Sequence, residues 1–100
     1  MKQTRTMAAI DYVRLNTDPK YCIVFGLTPN KPNGYQADFH LNIGKAAVDS
    51  SACVGSTEVE AVRKALADAL VKNCEYPKRY AVILDATTKF NEGYELVKDA

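Results

Sequence analysis

Nine consecutive residues of this chain, from Tyr35 to Ile43, alternate strictly between apolar and polar side chains. Successive side chains of a β-strand point to opposite faces, so this period of two predicts a half-buried antiparallel strand. Its apolar face, which we expect to be buried, consists of Tyr35, Ala37, Phe39, Leu41 and Ile43. Its polar face, which meets water or a partner, consists of Gln36, Asp38, His40 and Asn42.

A second strand is predicted immediately before this one, over residues 20–27. These residues are rich in β-branched and aromatic side chains and are apolar on both faces, which is typical of a covered strand. The segment 28–34 between the two strands is dense in proline and asparagine, and its last two residues, Asn33 and Gly34, are suited to positive φ. We therefore predict a hairpin with a seven-residue loop.

The segments outside this hairpin are less clearly patterned. Residues 7–15 fit a strand or a short helix, and we predict a strand over residues 10–15 that a turn at 16–19 joins to the next strand. Residues 44–54 allow a short, irregular third core strand. Residues 80–84 form a continuous apolar run that predicts a buried strand ending at Asp85, and the tail after it could add a strand or a helical turn around residues 94–97.

A long helix is predicted between residues 57 and 74. Thr57 followed three residues later by Glu60 forms a capping box, in which each side chain satisfies a free backbone N–H. The pairs Glu60 with Lys64 and Asp68 with Lys72 have the favourable acid-first order at i,i+4. One stripe is apolar, so we expect an amphipathic helix of about five turns that packs on a sheet.

These elements predict an α+β domain with an antiparallel or mixed sheet of four to five strands and one long amphipathic helix packed on it, in the order β-β-β-β-α-β. The 100 residues, 47% of them hydrophobic, suit a single domain. Within it we expect an N-terminal extension at 1–19 that contains a strand, a core at 20–86 and a C-terminal tail at 87–100.

The charge balance argues against a phosphate-directed protein. Thirteen Lys and Arg against twelve Asp and Glu give a net charge of +1, whereas nucleic acid needs a concentrated basic surface. A nucleic-acid-binding accessory protein therefore remains only an alternative, and it would use Arg63, Lys64, Lys78 and Arg79. The sequence has no signal-peptide run and no stretch of about 18 apolar residues, so we expect a cytoplasmic protein without a membrane segment.

The three cysteines do not predict a metal site or a disulfide framework. Cys22, Cys53 and Cys74 are odd in number and contain no C-x-x-C pair. We interpret them as reduced and mostly buried, with a reactive thiol as the alternative.

Few residues suggest catalysis. Asp38 and His40 share the polar face of one strand, but no G-x-S-x-G segment supplies a nucleophile. A reduced, ribonuclease H-like, metal-dependent nuclease would use Glu58 or Glu60 with Asp85 and Asp38, but its first core strand lacks an acid. We therefore predict a non-enzyme with no catalytic residue, metal or cofactor, and keep this nuclease as an alternative.

Three groups of residues carry a resemblance to a known family: Asn-Gly-Tyr-Gln-Ala at 33–37, Gly-Ser-Thr-Glu-Val-Glu-Ala at 55–61, and Ala65 with Leu70. Together, over Tyr21 to about Asp85, they resemble the N-terminal domain of HicB-type antitoxins, a partial ribonuclease H-like β-β-β-α-β unit. The resemblance implies this fold and a mode of action in which a small domain covers another protein's working surface. It does not imply a DNA-binding repressor, because no helix-turn-helix or ribbon-helix-helix segment follows and residues 40–51 lack the family's proline.

The sequence thus predicts a small, non-enzymatic binding or inhibitor protein that occludes a surface of a protein partner. It would be of the antitoxin-like or phage-type anti-defence kind, and a homodimer formed through a sheet edge is compatible with it. The predicted contacts are the polar strand face and the hairpin loop: Gln36, Asp38, His40, Asn42, Asn30 and Lys31.

Overall fold

The computed structural model describes residues 3–30, 32 and 34–98, and shows one antiparallel sheet with helices on one of its faces. The strands are β1 (Tyr21–Pro29), β2 (Tyr35–Ile43) and β3 (Ala46–Gly55), in the spatial order β1-β2-β3. The helices are α1 (Arg5–Asn16), α2 (Glu58–Lys72) and α3 (Pro77–Lys98). Helix α2 packs across β2 and β3, α1 reaches β1, and α3 packs mainly against α1.

The strand predicted at residues 10–15 is wrong, because these residues belong to α1. The hydroxyl of Thr4 accepts a hydrogen bond from the backbone N–H of Met7 at 3.1 Å, which caps the helix. The buried residues recur at helical spacing, at Thr6, Ala9, Ile10 and Val13. Helical spacing and a cap therefore decide the conformation of a segment that is too polar for a covered strand.

The strand predicted at residues 80–84 is also wrong, because the apolar run is part of the 22-residue helix α3. The buried positions continue past the run at intervals of three and four, at Ile83, Ala86, Phe90 and Gly93. Pro77 stands at the first position of the helix, where its missing N–H costs no hydrogen bond. Asp85 does not end an element but lies exposed on this helix.

In the described residues the sheet has three strands instead of four to five, and the order α-β-β-β-α-α replaces β-β-β-β-α-β. The same residues form three helices instead of one, and these supply the layer above the sheet. The two hairpin strands and the irregular third strand do lie where the sequence predicted them, and a register shift between Leu41 and Asn42 makes the third strand irregular.

The backbone requires glycine at two positions, one in a turn and one at a close contact between β3 and α2. Gly44 has a φ of 61° in the short turn between β2 and β3, a conformation that favours glycine. Gly55 ends β3, and a Cβ placed there would lie 2.5 Å from the backbone nitrogen of Ala61. The start of α2 therefore rests directly on the end of the strand that precedes it.

The core lies between the sheet and the helices. Phe39 and Leu41 of β2 are fully buried there, and the rings of Phe25 and Phe39 meet edge to face with centroids 5.7 Å apart. Helices α2 and α3 contribute the fully buried Leu66, Ile83 and Phe90. The apolar face predicted for β2 is thus buried at Ala37, Phe39 and Leu41, whereas Ile43, at the strand end, is 39% exposed.

Helix α2 ends earlier than predicted, at Lys72, and this changes the environment of the cysteines. Asn73 caps the helix, is buried, and donates hydrogen bonds from its side chain to Asp49 at 2.6 Å and to the carbonyl of Ala69 at 2.8 Å. Cys74 therefore falls outside the helix and is exposed. Cys22 is exposed as well, so the prediction of mostly buried cysteines is wrong, although all three are free thiols.

Candidate functional site

One face of the sheet faces away from all three helices, and we call it the open face. The pairing register places the polar row of β2 at its centre, with alternate residues of β1 and β3 on either side. The open face consists of Cys22, Val24, Gly26 and Thr28 on β1, Gln36, Asp38, His40 and Asn42 on β2, and Ala47, Ser50, Ala52 and Val54 on β3.

The open face is depleted of charge. Of its twelve residues only Asp38 is formally charged at neutral pH, whereas 25% of the whole chain is Asp, Glu, Lys or Arg. A sheet face that only meets water gains nothing from such depletion, since charged side chains are the best hydrated. Depletion of charge is typical of the centre of a protein–protein interface.

The polar row is partly ordered by its own hydrogen bonds. The side-chain amide of Gln36 donates to Asp38 Oδ1 at 3.1 Å, and the side-chain amide of Asn30 donates to Gln36 Oε1 at 3.5 Å. This chain links the loop to the strand and joins three of the predicted contact residues. His40 is exposed further along the row, and Asn42 is half-buried at its end. Lys31, the sixth predicted contact, lies outside the described residues.

Apolar side chains flank the polar row on both sides. Val24 on β1 pairs with His40 and is 38% exposed, and Val54 on β3 pairs with Gln36 and is 39% exposed. Ala52 lies opposite Asp38 and is exposed as well. The face thus combines central hydrogen-bonding groups with partly exposed methyl groups that lose water on contact.

These flanking residues were missed from the sequence. Neither β1 nor β3 alternates cleanly between apolar and polar residues, so periodicity alone does not tell which of their valines point outward. The pairing register with β2 shows which valines lie on the open face, and the register of β3 depends on the bulge beside Leu41.

The carboxylates of the alternative nuclease hypothesis lie on separate elements. Asp38 is on the open face, Glu58 and Glu60 are in the first turn of α2, and Asp85 is on α3. Glu60 accepts from the Ser56 hydroxyl at 2.7 Å and from Lys64 at 3.0 Å, and these contacts, with Ser56 first, lower its pKa. Within residues 3–30, 32 and 34–98, no three His, Cys, Asp or Glu side chains are grouped to hold a metal ion.

The basic residues of the alternative nucleic-acid hypothesis lie on two helices, Arg63 and Lys64 on α2 and Lys78 and Arg79 on α3, and Arg63, Lys64 and Arg79 contact other side chains. Arg63 donates to Asn91 at 2.9 Å and lies 5.5 Å from the centroid of the Tyr94 ring. Lys64 pairs with Glu60, and Arg79 lies over the Tyr76 ring at 4.5 Å. These contacts do not assemble a basic surface for phosphates.

Comparison of the chain with protein-family models, with curated proteins and with solved structures finds no match. In the part of the chain that the structure describes, none of the helices combines the length and the hydropathy needed to cross a bilayer.

Proposed function

We propose that this chain is a non-enzymatic binding protein that presses its open face against a protein partner and masks that partner's working surface. The observation that carries the proposal is the charge-depleted sheet face, with a hydrogen-bonding row between two exposed valines. Polar groups in such a row fix the orientation of a partner, while the methyl groups around them supply apolar area.

The kind of partner follows from the chemistry of this face. Its open-face residues include no Phe, Tyr or Trp on which a base could stack and no Lys or Arg that could meet a phosphate. Backbone-like hydrogen-bonding groups and small apolar side chains match the surface of another folded protein. We place the encounter in the cytoplasm, in keeping with three free cysteines.

Masking is the mode of action that suits a shallow face. The sheet presents a surface instead of a cleft, and the resemblance to HicB-type antitoxins points to the same mode. An antitoxin-like protein or a phage-type anti-defence inhibitor would both act in this way, by covering the residues that a toxin or a defence protein needs.

The test compares two arginine substitutions in otherwise identical tagged chains. His40→Arg places a bulky charge in the middle of the open face, and Asp85→Arg places one on the exposed side of α3. Proteins that co-purify from lysate of the native host are quantified by mass spectrometry. We expect a protein recovered equally by the wild type and Asp85→Arg, and at least about tenfold less by His40→Arg.

The proposal fails if no protein shows this profile, or if Asp85→Arg reduces recovery as much as His40→Arg does. Hydrolysis of a nucleic acid or another substrate by the purified wild type would also contradict it. Circular dichroism of both variants establishes that they are folded.

A further inference from the structure

The two outer strands of the sheet each have a free edge, and the hydrogen bonds show which backbone groups point outward. In an antiparallel strand the N–H and C=O of one residue point to the same side, and alternate residues share that side. The carbonyl of Phe25 accepts a hydrogen bond from Arg14 at 3.0 Å, so it faces away from β2. The backbone groups of Tyr21, Ile23 and Leu27 therefore face outward as well.

The edge of β3 is closed by lysines. Lys72 donates to the outward carbonyl of Ser50 at 3.0 Å, and Lys64 reaches that of Val54 at 3.4 Å. Each lysine is also paired with an acid one turn earlier on α2, Asp68 at 3.3 Å and Glu60 at 3.0 Å. Charged side chains over an edge are a common protection against strand addition, and here they occupy two of the acceptors that a new strand would need.

The edge of β1 lacks this protection. Its nine residues, YCIVFGLTP, include no charged side chain. Arg14 covers one carbonyl and Asp18 accepts from the N–H of Tyr21 at 3.0 Å. Within the described part of the chain, the outward N–H and C=O groups of Ile23 and Leu27 and the N–H of Phe25 have no hydrogen-bond partner.

We propose that β1 pairs antiparallel with β1 of a second copy of this chain, around a two-fold axis at Val24. Each Ile23 then exchanges both backbone hydrogen bonds with Phe25 of the other copy, and each Leu27 N–H donates to a Tyr21 carbonyl. Val24 lies opposite its own symmetry mate on the open face, where β-branched pairs are favourable. The inference goes beyond the proposed function and does not rest on it.

A second copy is the occupant that the strand itself favours. β1 of another copy brings no charge to the new interface, whereas β3 would bring Asp49. Under the two-fold axis the free N–H of Phe25 meets the free carbonyl of Ile23 in the other copy, and symmetry forms the same bond a second time, which is the self-complementarity that symmetric dimers require. The pairing joins the two sheets into six strands and makes the two open faces continuous.

Arg14 must give up its hydrogen bond to the Phe25 carbonyl for this pairing. Its side chain is 42% exposed and has a second partner in Asp11, 3.6 Å away. A nine-residue strand pair buries less area than a permanent dimer needs, so we expect a concentration-dependent equilibrium.

Sedimentation of the full chain with two matched lysine variants tests this edge. Val24→Lys and Val54→Lys change the same residue type, at 38% and 39% exposure, on opposite outer strands of the open face. We expect the wild type to approach twice 11.0 kDa with rising concentration. Val24→Lys, which places like charges opposite each other, should weaken the dimer at least about tenfold. Val54→Lys should leave it unchanged.

Amide hydrogen exchange of the unmodified chain gives a second measurement that needs no variant. We expect the amides of Ile23, Phe25 and Leu27 to become more protected as concentration rises, and that of Ala52 on β3 to stay constant. A monomer at all concentrations, or a dimer that Val54→Lys weakens and Val24→Lys does not, overturns the inference. Loss of partner binding in His40→Arg with the dimer intact separates this edge from the proposed function.

Discussion

Phe39 and His40 are neighbours in the sequence, yet one is fully buried and the other is exposed. The same contrast holds at the centre of β2, where Ala37, Phe39 and Leu41 are buried on the face that packs against α2, which we call the covered face, and Asp38 and His40 lie on the open face. The covered face is where the fold gains its stability, since the buried apolar residues lie there. The side chains of the open face are not part of this core, so their composition is free to suit whatever the protein contacts.

Phe39→Ala tests the covered face and should have the largest effect on stability. Removing a fully buried ring leaves a cavity, and we expect the free energy of unfolding to fall by about 3–5 kcal/mol in urea denaturation. His40→Ala, the adjacent control, should change it by less than about 0.5 kcal/mol. Similar losses in the two variants would show that the open face also contributes to stability. The two faces of the sheet would then not differ in their roles.

A smaller effect of opposite sign is expected at Ser51. Its hydroxyl is buried on the covered face and has no hydrogen-bond partner among the described residues, which costs free energy in the folded state. Ser51→Ala should therefore raise the free energy of unfolding, by about 1 kcal/mol. The neighbouring Ser50 is exposed, so Ser50→Ala serves as the control and should have little effect on stability. A loss of stability in Ser51→Ala would show that the hydroxyl of Ser51 makes a favourable interaction in the folded state, which contradicts this expectation.

The reactivity of two cysteines compares the open face with the covered face without any substitution. Cys22 is exposed on the open face, whereas Cys53 packs against the core, and burial, followed by Asp68, raises the pKa of its thiol. A raised pKa means less thiolate at a given pH, and thiolate is the reactive form. We expect iodoacetamide to modify Cys22 faster than Cys53 at pH 7 to 8, measured by peptide mass spectrometry of the native chain. Equal rates would indicate that the covered face opens readily.

The sequence was informative where a pattern is local. The period of two in β2 and the start of α2 at Thr57 were both predictable, and the hydroxyl of Thr57 does accept from the N–H of Glu60 at 3.1 Å. The carboxylate of Glu60 contacts Ser56 and Lys64, so only this half of the predicted capping box is observed.

The strand predictions were wrong where the hydrophobic pattern extends beyond the predicted strand. Residues 80–84 look like a buried strand until Ala86, Phe90 and Gly93 extend the same stripe at helical spacing. The polar row of the open face was predictable from one strand. Its valine flanks and the unequal edges depend on register and on the lysines of α2, which no local pattern shows.

Photo-crosslinking at one residue tests most directly whether the open face is the contact surface. Benzoylphenylalanine replaces Ser50, which is exposed on β3 at the side of the open face, in one chain and Leu84, which is 46% exposed on α3, in another, and both are irradiated in native host cells. We expect a crosslink to a different protein from position 50 and none from position 84. A crosslink from position 84 alone, or none from either position, would contradict the account.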